Sequence, residues 1–135
     1  MDPLRIAFLA SRHAAGVVSL LGDPNRGSAW ELSIVIGSET QLAEAEMLEQ
    51  AGVAVELRPI RAVSAFRNLR AREDYDEQLG DLLARMKIDY VILSGYEYIL
   101  TEPVLARFPG RVLALHPADL SLRDRVWGEA IFRAS

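Results

Sequence analysis

The sequence predicts an α/β protein with a doubly wound, mostly parallel, Rossmann-like sheet. Five short apolar runs recur along the chain, and segments with helical spacing separate them. Strands that alternate with helices pair in parallel, because each helix carries the chain back across the sheet. The length of 135 residues, half of them hydrophobic and a quarter charged, is that of one globular domain. We expect a single domain over residues 1–135.

The apolar runs are the predicted strands. Parallel strands that are covered by helices on both faces contain continuous stretches of Val, Ile and Leu, and LRIAFLA and LSIVI have this character. The predicted strands are residues 4–10, 32–36, 53–57, 89–93 and 111–115.

The segments between these runs are predicted helices, and residues 23–29 (DPNRGSA) are a predicted loop. Gly52 stands where a C-terminal cap belongs, and Pro103 suits the first turn of a helix. The segment after Thr40 and the one after Arg72 carry apolar residues at helical spacing. The predicted helices are residues 14–21, 41–50, 73–86 and 102–108.

Composition excludes several classes of function. Fifteen basic and nineteen acidic residues give a net charge of −4, so bulk charge does not favour nucleic acid. The absence of cysteine excludes a disulfide framework, a zinc ribbon and thiol catalysis. No glycine-rich dinucleotide fingerprint, P-loop or metal-ligand spacing of the two histidines is present, so we expect no metal. No apolar run approaches the roughly 18–20 residues of a membrane span, and the residues before the first strand do not resemble a signal peptide. We expect a cytoplasmic protein without a membrane partner.

The predicted fold indicates where a ligand-binding site would lie. In doubly wound sheets, ligands bind beyond the carboxyl ends of the strands. Residues that follow the five strands are therefore candidates, and both histidines of the chain are among them. The candidates are Ser11, Arg12, His13, Gly37, Ser38, Glu39, Thr40, Arg58, Arg61, Ser94, Gly95, Tyr96, Glu97, Tyr98, His116, Pro117 and Asp119.

Two of these segments favour an anion or a proton transfer. After the first strand, backbone N–H groups at a helix start attract an anion, and Arg12 adds a bidentate partner for phosphate. The alternative is a plain strand–helix turn with a solvated arginine. His116 titrates near neutrality, which suits proton transfer or the polarisation of a carbonyl. The alternative is a strand-end histidine that donates to a backbone carbonyl.

Two further segments each allow a ligand-binding interpretation and a purely structural one. Residues 58–72 contain five arginines and no acid, a local charge that attracts a phosphorylated substrate. The alternative is a solvated loop whose arginines pair with neighbouring acids. Residues 95–98 (GYEY) offer backbone groups and aromatic walls to a planar ligand. The alternative is a turn whose tyrosines pack against the next helix.

Residues 89–117, DYVILSGYEYILTEPVLARFPGRVLALHP, resemble glycinamide ribonucleotide formyltransferase, a folate-dependent enzyme of purine synthesis. That family shows a strand, an A-G-[FY]-x-x-I-L turn, a helix ending in A-R-F-x-G-R and a strand closing in N-x-H-P. RIAFLAS near the N-terminus and AREDYDEQL at residues 71–79 match further family segments in the correct order. The resemblance implies the formyltransferase fold, with 10-formyltetrahydrofolate as co-substrate and a phosphorylated small-molecule amine as acceptor.

The resemblance also implies roles for residues. His116 matches the catalytic histidine, which together with an asparagine stabilises the oxyanion of a tetrahedral intermediate. Ser11, Arg12 and His13 stand at the family's phosphate loop, which is usually rich in Gly, Asn and Ser, so the chain departs from the pattern there. Arg72 matches an arginine near the substrate pocket. The folate-binding turn matches Tyr96, Tyr98, Ile99 and Leu100.

The chain departs from the family pattern at several positions. Ala114 stands where the family has its asparagine, and loss of one oxyanion donor costs about 10²–10³ in turnover in a well-studied enzyme. Tyr98 replaces an arginine of the folate turn, and the family's aspartate falls beyond Ser135. One of three catalytic residues is present. Two alternatives follow: an inactive formyltransferase-like ligand-binding module, or a relative that hydrolyses formyltetrahydrofolate.

The resemblance also gives a second interpretation of the length of 135 residues. It corresponds to the N-terminal part of the family fold, without the C-terminal strands. Residues 125–135 are a predicted apolar-faced helix that stops without a cap. We expect a truncated chain or one whose terminal element needs a partner surface, and a homo-oligomer is compatible with this expectation.

Overall fold

The predicted doubly wound parallel sheet is confirmed. A computed structural model describes residues 2–61 and 67–115, and in these ranges five strands form one sheet in the order β3-β2-β1-β4-β5. Every neighbouring pair is parallel. The strands are β1 (Leu4–Ala10), β2 (Trp30–Gly37), β3 (Ala54–Leu57), β4 (Tyr90–Ser94) and β5 (Val112–Leu115), and the helices are α1 (Ala15–Val18), α2 (Ala45–Gln50), α3 (Leu69–Arg85) and α4 (Glu102–Leu105).

The strand order places a switch point beside the central strand. The chain moves from β1 outward to β2 and β3, then returns to the other side of β1 with β4 and β5. The loops that leave β1 and β4 therefore diverge at the carboxyl edge of the sheet, where doubly wound folds bind their ligands.

Two apolar layers cover the sheet, one on each face. Alternate residues of β1 point to opposite faces, so Ala7 and Leu9 join one buried cluster, and Phe8 and Ala10 join the other. The first cluster includes Leu79, Leu83 and Val104 of α3 and α4, and the second includes Val17 and Leu48 of α1 and α2. The sheet is thereby fixed between the helices.

Two helices begin at positions other than those expected from the sequence. Helix α2 begins at Ala45, four residues late, and Glu44 is its N-cap. The backbone N–H of Ala43 donates to the carbonyl of Arg12 at 3.0 Å, so the preceding residues follow the neighbouring loop instead of coiling. Helix α3 begins at Leu69, four residues early, because the Asn68 side chain accepts from the backbone N–H of Ala71 at 2.7 Å.

The two short helices end earlier than predicted. The predicted helix-end glycine and helix-start proline are both confirmed. Helix α1 has four residues and α4 has four, because turns follow each of them. Gly52 follows α2 with a φ of 85°, the left-handed conformation that glycine adopts without strain, and Pro103 lies in the first turn of α4. The predicted helix over residues 125–135 lies outside the described residues.

Candidate functional site

The buried Ser11 joins three strands at the carboxyl edge of the sheet. Its backbone N–H donates to the carbonyl of Gly95 at 3.1 Å, and its hydroxyl lies 2.7 Å from the Ser38 hydroxyl. The same hydroxyl accepts from the backbone N–H of Glu97 at 2.8 Å. The side chain has no exposed surface. Its predicted role in phosphate binding gains no support, because the hydroxyl is used to hold the ends of β1, β2 and β4 together.

Gly95 allows the loops after β1 and β4 to cross closely. It has a φ of 70°, and a Cβ at this position would lie 3.2 Å from the carbonyl oxygen of His13. Any larger residue would combine backbone strain with a close contact. The crossing brings residues 96–100 next to the loop that carries Arg12 and His13.

An ion pair on α3 anchors the turn formed by residues 95–100. Arg72 lies 3.2 Å from Asp76, and its second terminal nitrogen donates to the carbonyl of Ile99 at 2.8 Å. Asp76 is fully buried and accepts from both the backbone N–H and the hydroxyl of Thr101, at 2.7 and 2.6 Å. Arg72 was predicted to lie near the substrate. Its side chain is only 12% exposed, and this geometry makes it a positioning residue for the turn.

The turn is fixed at its base, while two of its backbone donors have no partner in the part of the chain that the structure describes. Within the described ranges, no hydrogen bond reaches the backbone N–H of Ile99 or of Leu100. The Ile99 side chain is 71% exposed, whereas that of Leu100 is buried in the core. Ile99 and Leu100 were both predicted for the folate turn, and only Ile99 presents its side chain to solvent.

Tyr96 and Tyr98 form an aromatic pair beside this turn. Their rings meet edge to face with centroids 5.8 Å apart. The Tyr98 hydroxyl donates to Glu39 at 3.1 Å and accepts from Arg61 at 3.4 Å, which raises the pKa of the Arg61 guanidinium. Tyr98 therefore links the loops that follow β2, β3 and β4.

The Tyr96 hydroxyl is buried without a hydrogen-bond partner among the described residues. Burial raises the pKa of Tyr96 above its ordinary value. The Arg72 guanidinium acts in the opposite direction as a smaller influence, and it makes no hydrogen bond of ordinary geometry to this hydroxyl.

We expect Tyr96→Phe to be as stable as the parent chain or more stable, by up to about 1 kcal/mol at pH 7, because the variant removes an unpaired buried hydroxyl. Above pH 10 the tyrosine ionises in the unfolded chain before it does in the folded one. The parent chain therefore loses stability as the pH rises, by about 1.4 kcal/mol per pH unit from this group. Urea unfolding at pH 7, 10 and 11 measures both effects. A less stable variant at pH 7 would show that the hydroxyl is paired.

The arginine-rich segment divides among several environments. The guanidinium groups of Arg58 and Arg72 lie 5.2 and 5.4 Å from the centroid of the Tyr75 ring. The Tyr75 hydroxyl donates to the backbone carbonyl of Arg58, and burial raises the pKa of Tyr75. Arg67 and Arg70 are exposed. Three of the five arginines therefore pack or pair with side chains near the site.

An open groove of about 720 Å³ lies between the loop after β1 and the loop after β2. Arg12 and His13 line one side, and both are exposed. Glu39, Thr40 and Gln41 line the other side. The groove combines one arginine and one carboxylate with neutral polar and apolar groups.

Glu44 reaches from the start of α2 to the loop after β1. Its Oε1 accepts from the backbone N–H of Ala14, and its Oε2 lies 3.9 Å from Nδ1 of His13. The carboxylate therefore holds the place that the sequence predicted for an anionic ligand. The sequence did not indicate Glu44, because only the fold brings it next to a loop thirty residues away.

The structure thus brings together most of the predicted site at one edge of the sheet. Ala114 pairs with Leu93 in the register between β4 and β5. His116 follows Leu115 in the sequence but lies outside the described residues, as do Pro117 and Asp119. Within residues 2–61 and 67–115, no group of three or more His, Cys, Asp and Glu side chains could hold a metal ion. No helix in these same ranges is long and apolar enough to cross a membrane.

Comparisons with known proteins agree on one family. A family model described as formyl transferase matches residues 4–121. The human trifunctional purine biosynthetic protein adenosine-3 is 28% identical over 119 residues, which cover 86% of this chain and 11% of that protein. A formyltetrahydrofolate deformylase of Escherichia coli O6:H1 is 28% identical over 117 residues, which cover 86% of this chain and 39% of that protein.

A solved structure shows the same fold. Glycinamide ribonucleotide transformylase 1 from Symbiobacterium toebii superimposes with a TM-score of 0.73 at 26% identity, over 87% of this chain and 53% of that chain. The chain spans about half the length of this transformylase and smaller shares of the two curated relatives. Transferases and a deformylase are both among the similar proteins.

Proposed function

The chain belongs to the formyl transferase family, and from this premise we propose that it transfers the formyl group of 10-formyltetrahydrofolate to the amine of a small molecule. The observation that carries the proposal is the turn of residues 95–100. Ser11, Arg72 and Asp76 anchor it, while two of its backbone donors are unpaired within the described ranges. A turn held rigidly before the ligand arrives loses little conformational entropy on binding.

The turn has the chemistry that a folate ring requires. A pterin ring is planar, and its edge carries acceptors that backbone N–H groups recognise. The N–H groups of Ile99 and Leu100, which have no hydrogen-bond partner within residues 2–61 and 67–115, supply such donors. The exposed Ile99 side chain supplies an apolar surface. Tyr98 adds an aromatic edge that Glu39 and Arg61 hold in place.

The reaction needs few groups beyond this binding surface. The amine nitrogen attacks the formyl carbon, and the carbonyl oxygen becomes an oxyanion in a tetrahedral intermediate. The bond from the formyl carbon to N10 of the folate then breaks, and N10 takes up the proton that the amine gives up. Donors aimed at the oxyanion stabilise this intermediate. His116 is the residue that we propose for this role, since it follows the strand that pairs with β4.

Incubation of the purified chain with 10-formyltetrahydrofolate and glycinamide ribonucleotide tests the proposal. Free tetrahydrofolate and a formylated amine are the expected products, followed by absorbance and by mass spectrometry. Folate binding without turnover would instead identify a ligand-binding module. No release of tetrahydrofolate from the folded chain with any amine acceptor contradicts the proposed transfer.

Hydrolysis of 10-formyltetrahydrofolate is the second candidate function. Glu44 favours it, because its carboxylate lies against the loop after β1 and leaves less room there for a phosphorylated acceptor. Water then replaces the amine as nucleophile, and formate leaves with tetrahydrofolate. Release of formate in the absence of an amine distinguishes this activity from transfer.

We expect Ile99→Ser to weaken binding of the folate co-substrate by about 1–2 kcal/mol, or roughly 5- to 30-fold in Kd, because it removes apolar surface from the turn. Its high exposure means that the fold is not disturbed. Met47→Ser on α2 is the matched control, since Met47 is 53% exposed and lies away from the turn. Fluorescence titration with a folate measures both variants. If both variants lose folate affinity equally, the turn is not part of the folate-binding site.

A further inference from the structure

We propose that Glu44 determines specificity by excluding phosphate from the loop after β1, so that the amine acceptor of this chain carries no phosphate group at that position. That the excluded ligand is an amine acceptor rests on the proposed formyl transfer. The exclusion of phosphate rests on geometry alone and is testable without any reaction.

Two contacts define the position of the Glu44 carboxylate, and a backbone hydrogen bond beside it joins the two segments. Oε1 accepts from the backbone N–H of Ala14, a residue without exposed surface. Oε2 lies 3.9 Å from Nδ1 of His13. The hydrogen bond from the Ala43 N–H to the carbonyl of Arg12 joins the two segments beside this contact. The Glu44 side chain is only 18% exposed, so the carboxylate is part of the loop structure.

A bound phosphate would compete with this carboxylate directly. Loops that bind phosphate do so through backbone N–H groups, and the Ala14 N–H is already used by Glu44. A second anion beside a partly buried carboxylate is also repelled strongly, because water screens the two charges poorly there. Phosphate can enter only if Glu44 leaves.

The charge of the neighbouring groove points in the same direction. Arg12 and Glu39 line it with opposite charges, and Glu44 lies in the chain between Ala43 and Ala45, which line it as well. The fixed charges in and beside the groove are therefore two carboxylates and one guanidinium. Such a groove favours a neutral or cationic ligand, and an amine without phosphate has this character.

Titration with inorganic phosphate tests the inference. We expect Glu44→Ala to bind phosphate saturably, with a shift of the Ala14 amide resonance in nitrogen–proton correlation spectra. The parent chain should bind roughly tenfold more weakly or not at all, because its carboxylate repels the anion. Glu44→Gln keeps the size and the acceptor oxygen, so it should bind with intermediate affinity. This second variant covers the case in which Glu44→Ala does not fold.

Glu49→Gln is the matched control. It removes the same charge from an exposed position on α2, and it should bind phosphate as the parent chain does. Phosphate binding by the parent chain that is as tight as that of Glu44→Ala, with a shift of the Ala14 resonance, overturns the inference. So does a folded Glu44 variant that gains no phosphate binding, because the carboxylate would then not be the excluding group.

An activity measurement separates this inference from the proposed function. If the chain transfers formyl groups, glycinamide should be a better acceptor than glycinamide ribonucleotide, and Glu44→Ala should improve kcat/KM for the ribonucleotide by about tenfold. If the chain transfers no formyl group, the phosphate titration still decides the role of Glu44. The two failures are therefore distinguishable.

Discussion

Replacement of Asp76 by alanine is expected to lower the free energy of unfolding by about 3–5 kcal/mol, because it removes one partner of a buried ion pair. The carboxylate has no exposed surface and interacts with Arg72 at 3.2 Å. It also accepts two hydrogen bonds from Thr101. The variant leaves a guanidinium that is only 12% exposed without its counter-charge and a backbone N–H without its acceptor.

Urea unfolding measures this loss, and a neighbouring residue supplies the control. Glu77 follows Asp76 in α3 and pairs with Arg107 at 3.0 Å, but its side chain is 57% exposed. Glu77→Ala should cost less than about 1 kcal/mol, because solvent screens the pair. Because Asp76 and Arg72 anchor the turn of residues 95–100, Asp76→Ala should also weaken folate binding. If Asp76→Ala loses as little stability as Glu77→Ala, the buried Asp76–Arg72 pair does not stabilise the fold as argued.

Substitution of Ala114 by asparagine is expected to raise the turnover of formyl transfer by about 10²–10³-fold, if the chain acts as proposed. Alanine offers no side-chain donor at the position where the family has an asparagine. Ala114 pairs with Leu93 and is partly buried beside the larger core cluster. The longer side chain is expected to supply a donor for the oxyanion, in addition to the proposed His116.

Leu113→Asn is the matched control for this gain. Successive residues of a strand point to opposite faces, so an asparagine at Leu113 lies on the other face of β5. Leu113 is 45% exposed, and its replacement should leave turnover unchanged. A similar gain in both variants would show that position 114 has no special role. If folate binding is undetectable with alanine and with asparagine at position 114, the proposed pocket itself is wrong.

The groove between the loops after β1 and β2 was predictable only in part. Arg12, His13, Glu39 and Thr40 follow strands in the sequence, and the parallel sheet necessarily brings them to one edge. Asp76 lies in a segment that matches the family, but the sequence assigned it no role. The sequence does not identify Glu44, because the pattern predicts a helix over residues 41–50 that would contain it. In the structure α2 begins at Ala45, and Glu44 is the N-cap.

The sequence by itself determined the strands, the parallel doubly wound sheet and the family. These depend on local patterns, since apolar periodicity and short motifs are read from residues that are close in the chain. The tertiary structure decided which donors and acceptors form hydrogen bonds with one another. Ser11 meets Glu97 across 86 positions of the sequence, and Glu44 meets Ala14 across 30. Hydrogen bonds act over about 3 Å, so only the folded chain decides which predicted site residues stay free for a ligand.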